Sequence, residues 1–114
     1  MRMNINHDPA LMSIGLAKKA GKLVCGTPLV CKALAGKTPP SLVIMSAYAS
    51  ENTKKKLRDK CAYYEVQLHE LDRSPEDISR AIGGNASVAA VAICDRGLGQ
   101  LYLDRAENRQ RNEE

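Results

Sequence analysis

Two uninterrupted apolar runs limit the folds open to this chain. Leu42-Val43-Ile44-Met45 and Val88-Ala89-Ala90-Val91-Ala92-Ile93-Cys94 contain no polar position, and breakers or polar residues bound both. An amphipathic helix or a one-sided strand needs polar residues at regular intervals. A short run without them reads as a strand buried on both faces. Strands of that kind need a covering layer above and below.

The covering layers are visible between the runs. Asp8-Pro9 marks a helix start, with Asp as cap and Pro in the first turn, and Gly21 suits the left-handed exit. The short stretch Lys22-Leu23-Val24-Cys25 follows. Thr27-Pro28 is a second start, with Thr as the cap, and Gly36 closes that helix after Ala35. Pro39-Pro40 forces an extended connection. Ser50 caps a third helix from Glu51 to about Cys61, in which Leu57 and Cys61 share one narrow apolar stripe. Tyr63 to Leu68 reads as a strand. Ser74-Pro75-Glu76-Asp77 opens a fourth helix that ends near Gly83-Gly84. The last helix runs from about Gly97 to Ala106. The order is one helix and then four strand-plus-helix units. The fold class is therefore α/β, a three-layer α/β/α sandwich with a four-stranded sheet, mostly parallel or mixed. The domain plan is an N-terminal tail over 1–8, one domain over 9–106 and a flexible polar tail over 107–114.

A chain of 114 residues holds one domain. With no Trp, no Phe and four Tyr, its core is aliphatic. No apolar run reaches the roughly 18 residues of a membrane helix, and the start lacks a signal-peptide core, so a cytoplasmic location is expected. Cys25, Cys31, Cys61 and Cys94 are separated by 6, 30 and 33 positions, which suits neither a disulfide scaffold nor a zinc site.

Charge is segregated along the chain. From Lys18 to Lys60 ten basic residues face Glu51 and Asp59, a net +8, while the remainder carries −4. A concentrated positive field suits a polyanion such as nucleic acid, and a solvated basic face with no partner is the alternative.

Catalytic patterns are missing. There is no Walker loop, no GxGxxG and no GxSxG elbow. Cys25 precedes a helix start, where a thiol can acidify, but a small buried hydrophobe fits that place as well. His7 and His69 have no evident partners. No catalytic residue, metal or cofactor is expected. The better site candidate is the junction Lys22 to Leu29 with Lys32 one turn into the helix. Gly26 permits close approach, Thr27 offers a hydroxyl, and free N–H groups at the helix start favour phosphate or base edges. An ordinary strand-to-helix turn remains the alternative. Gly83-Gly84-Asn85-Ala86-Ser87-Val88 is either a second backbone contact or a plain helix exit. Lys54 and Lys55 add positive charge from the third helix.

At these residues the chain resembles the ribosomal protein L7Ae/L30e/S12e/Gadd45 superfamily, most closely its bacterial YlxQ-type L7Ae-like branch. The resemblance covers about Leu11 to Leu103. Its parts are GLAKKAGKLVCG (15–26), Val30-x-Lys32-Ala33, SLVIMS (41–46), ASENTKKKLRDKC (49–61), YYEV (63–66), AIGG (81–84) and VAAVAICDRG (88–97). It implies an L30e-like fold and noncatalytic binding of structured RNA, typically a kink-turn. The archaeal and eukaryotic members read that bend with a Gly-x-Asn-Glu core followed by a Lys at the sixth place after the Gly. Gly26, Thr27 and Lys32 match the Gly, the variable place and the Lys, while Pro28 and Leu29 stand at the Asn and Glu places. Asn85, Ala86, Ser87 and Val88 match the second contact loop. The function expected is a ribosome-associated RNA-binding protein. The alternative is a protein-interaction module of a ribonucleoprotein that has lost kink-turn recognition. The partners expected are ribosomal or kink-turn RNA and ribosomal proteins, with no membrane and a monomeric chain.

Overall fold

The computed structural model describes residues 8–112, with side chains to Glu107. The elements are α1 (Pro9–Lys19), β1 (Leu23–Cys25), α2 (Thr27–Leu34), β2 (Leu42–Ser46), α3 (Glu51–Tyr63), β3 (Gln67–Leu71), α4 (Pro75–Ala81), β4 (Ala90–Ile93) and α5 (Arg96–Asn112). The alternation read from the sequence is present. So are the three layers. Leu42, Ile44, Val91 and Ile93 face a core built with α1, α4 and α5. Val43, Met45, Ala90 and Ala92 face the opposite core, built with α2 and α3. Residues 42–45 and 90–93, the centres of the two apolar runs, are thus buried on both faces, and Leu57 and Cys61 are the buried positions of α3.

The sheet is mixed, with strand order β1-β4-β2-β3. Only β2 and β3 are parallel; β4 lies between β1 and β2 and runs antiparallel to both. The mostly parallel option is therefore excluded. Helical connections set the order of elements in the chain, but the last strand inserts between the first two in the opposite sense.

Three element boundaries differ from expectation. Tyr63 belongs to α3 rather than to β3, which begins at Gln67. The helix closes through Glu65, which adopts φ 58 and donates its N–H to Ala62 O, while Val66 N–H reaches Cys61 O. This is the paired-bond exit usually given to glycine. The last helix continues to Asn112, well past Ala106 and through most of the stretch that composition marks as a tail. Asp95 helps open it, accepting from Leu98 N–H at 2.9 Å. β4 begins at Ala90, so Val88 belongs to the loop before it, and Cys94 is exposed beyond its end. Of the expected N-terminal tail, 1–7 lie outside the described residues, and Asp8 is the α1 cap.

Candidate nucleic-acid interface

The antiparallel insertion of β4 creates the candidate site. In a parallel sheet the start of β4 would lie at the opposite end from the end of β1. Here the start of β4 lies beside the ends of both β1 and β2. Gly26 N–H donates to Ala90 O at 2.9 Å, and Ser46 N–H donates to Ala89 O at 2.8 Å. The start of α2 and the loop 85–88 therefore share one end of the sheet.

The start of α2 is unlike the others. Asp8, Ser50 and Ser74 cap α1, α3 and α4 with side-chain oxygens. Asp95 accepts from the first turn of α5. The α2 cap is Gly26, with no side-chain hydrogen bond. Thr27, expected as the cap, is instead the first helical residue. The cause is Gly26, whose φ 96 and ψ 141 suit only glycine and leave no side chain to turn inward. The N–H groups of Thr27 and Leu29 are consequently left without an acceptor among the described residues, while Pro28 has none to offer. The helix N-terminus carries partial positive charge there. Pro28 and Leu29 are exposed, Leu29 by 56%. Leu29 and Lys32 border a shallow depression of about 450 Å³ floored by Leu23, Val24 and Cys25 of the free edge strand. Lys18, which the sequence reading did not single out, closes its far rim. A second depression of about 510 Å³ lies between α1 and α4, with exposed Met12 and Leu16, and does not reach the α2 start.

The cations divide into two groups. Lys54 is only 14% exposed and lies 3.3 Å from Glu70, with Glu51 at 3.8 Å. Lys55 pairs with Asp59 at 2.9 Å, and Arg58 with Glu70 at 3.2 Å. These α3 charges are largely answered within the protein. Among the described residues Lys18, Lys22 and Lys32 have no carboxylate partner within ion-pair range. Lys22 is not at the junction, however. Its carbonyl accepts from Cys94 N–H, placing it at the opposite end of β1 from Gly26. The structure thus gathers Gly26, Thr27, Pro28, Leu29, Lys32 and the loop Asn85, Ala86, Ser87 and Val88. It sets Lys22, Lys54 and Lys55 apart. Asn85, Ala86 and Ser87 are exposed, and Val88 is half-buried with its N–H on Pro75 O.

Cys25 is half-buried against the α1/α5 core. Burial, with Cys31 adding to it, pushes the Cys61 thiol up to about 11. His69 has the partner that its sequence neighbours did not show: Nδ1 lies 2.9 Å from the Tyr102 hydroxyl. No group of three potential metal ligands occurs among the described residues. None of their helices is long and apolar enough to cross a membrane.

Comparison with known proteins gives three findings. The model of the Ribosomal protein L7Ae/L30e/S12e/Gadd45 family matches residues 10–101. Two relatives are called RNA-binding protein YlxQ. The one from Enterococcus faecium is 39% identical over 102 residues, covering 90% of this chain and 95% of that protein. The one from Bacillus subtilis (strain 168) is 40% identical over 90 residues, covering 79% of this chain and 87% of that protein. Among solved structures, a Bacillus halodurans C protein with unknown function has a TM-score of 0.80 at 30% identity, covering 89% of this chain and 99% of its own. The Giardia lamblia 15.5kD RNA binding protein has a TM-score of 0.71 at 15% identity, covering 95% of this chain and 89% of its own, a likeness of fold.

Proposed function

The chain belongs to the L7Ae/L30e/S12e/Gadd45 family, and from that premise we propose that it is a noncatalytic RNA-binding protein. The observation that carries the proposal is the uncapped start of α2, set beside the loop 85–88, with Lys32 unanswered by any carboxylate among the described residues. Unpaired N–H groups and a free ammonium suit a phosphate, and backbone amides and Thr27 reach base or ribose oxygens. The names of the two relatives support the same reading. Its finer form is structured RNA, ribosomal or kink-turn-containing, bound by a monomer in the cytoplasm with ribosomal proteins nearby. Pro28 has neither an N–H nor a polar side chain to read a base edge, so recognition rests on phosphates, backbone and the apolar surface of Leu29.

A titration against a kink-turn hairpin, a ribosomal RNA fragment and unstructured oligoadenylate at two salt concentrations tests this. Micromolar or tighter binding to a structured RNA, weakening with salt, is expected. No binding to either structured RNA at low salt refutes the proposal. The exposure of Leu29 over an apolar depression favours one second reading, a protein-docking module. Retention of one protein after nuclease treatment, with no RNA bound, would select it.

A further inference from the structure

We infer that Tyr48 forms a further nucleobase subsite, a stacking platform for an unpaired base of the bound RNA. The inference rests on the RNA-binding reading above.

Strand order puts the platform in place. The α2 start follows β1, the loop 85–88 precedes β4, and Tyr48 follows β2. These three strands are adjacent, with β4 in the middle. Ser46 N–H on Ala89 O ties the end of β2 directly to that loop. Tyr48 therefore flanks the loop on the side opposite Leu29. Two strand spacings, about 10 Å, separate the ends of β1 and β2, and the contact with Asp72 carries the Tyr48 ring one strand further, over the end of β3. That span is within the reach of a few splayed nucleotides.

The ring is exposed and held. It is 65% exposed and takes part in no ring–ring contact among the described residues. Its hydroxyl donates to Asp72 Oδ1 at 2.6 Å. Its N–H donates to Ser46 Oγ at 3.0 Å, and that hydroxyl donates to Arg73 O at 2.6 Å. A large apolar ring is thus fixed before any ligand arrives, which reduces the ordering cost of binding. Asp72 and Arg73 act on Tyr48 with opposite charge, so the rim offers no concentrated positive charge to a phosphate, whereas the face of the ring accepts the face of a base. Tyr63, the other strongly exposed aromatic, packs edge-on against Tyr64 at the opposite end of the sheet, away from the loop.

The test uses a kink-turn hairpin with 2-aminopurine at its bulged positions. The full-length protein, Tyr48→Ala, Tyr48→Phe and Lys32→Ala are titrated in parallel. The wild type and Tyr48→Phe are expected to quench the fluorescence. Tyr48→Ala should lose the quench and about ten-fold in affinity, with a circular dichroism melt close to wild type. Unchanged affinity and quenching in Tyr48→Ala, while Lys32→Ala binds more weakly, overturns the subsite and leaves the proposed function standing. Weaker binding with quenching intact overturns it as well, since a contact other than stacking is then lost. If the wild type binds neither this hairpin nor any structured RNA, both inferences fall together.

Discussion

Gly26→Ala is the substitution that tests the site's architecture most directly. At φ 96 and ψ 141 the residue occupies a region nearly closed to any side chain. An added Cβ meets nothing within 4 Å, so the cost is one of backbone conformation alone. Strain of this kind costs about 1–3 kcal/mol. Taking about 2 kcal/mol, a domain of this size should lose roughly 6–10 °C in Tm. Gly21→Ala supplies the reference. Gly21 has φ 72 at the exit of α1, also with nothing within 4 Å of an added Cβ. The left-handed region is reachable by alanine at about 1 kcal/mol, so Gly21→Ala should cost about half as much. If the backbone relaxes instead of storing strain, the α2 start moves, and RNA affinity falls even where Tm does not. The assay is therefore a paired thermal melt and RNA titration. A Gly26→Ala protein with wild-type Tm and wild-type affinity would refute the assignment of this glycine as the reason α2 starts uncapped.

Other outcomes follow from the same geometry. Glu65 occupies a glycine-like exit at φ 58 and is exposed, so Glu65→Gly should raise stability by about 1 kcal/mol, seen as a higher urea midpoint at unchanged slope. Lys32→Ala should weaken RNA binding several-fold and reduce the slope of log affinity against log salt by about one, measured by titration across a salt series. Pro28→Asn with Leu29→Glu restores groups that pair with base edges and should raise preference for a kink-turn hairpin over an unrelated hairpin by about ten-fold. Burial holds the His69 imidazole below its ordinary 6.5, with Glu107 and Glu70 opposing. The unfolded chain then takes up a proton before the folded one does. The His69 contribution is complete above 6.5 and declines as pH falls towards the folded value, by at most about 1.4 kcal/mol per pH unit. His69→Gln should flatten that part of the stability profile in denaturant titrations between pH 7 and roughly 5.

Local chemistry made most of the elements readable. Pro9, Pro28 and Pro75 mark helix starts, and the apolar runs through β2 and β4 announce burial on both faces. Strand order was not readable, because the partner of β1 lies far along the chain. The site divides on the same line. Gly26, Leu29 and Lys32 are close in sequence and are brought together by one turn. Lys22 is equally close in sequence, but β1 carries it to the other end of the sheet. Lys54 looked like free charge because Glu70, its partner across α3 and β3, lies 16 positions away. Tyr48 stands alone in its segment, and only the pairing of β2 with β4 places it at the end of the sheet that carries the loop 85–88. The His69–Tyr102 contact was hidden for the same reason.

The strand made last is the one in the middle. Until residues 90–93 join the sheet, β1 has no strand neighbour, and β2 has only β3. During synthesis, a growing chain carries the basic segment 18–60, Lys32 included, before the strand that completes the site exists. Capacity for selective contact therefore arises in one late step. A fragment ending before β4 would retain the attraction to polyanions without the means to discriminate among them.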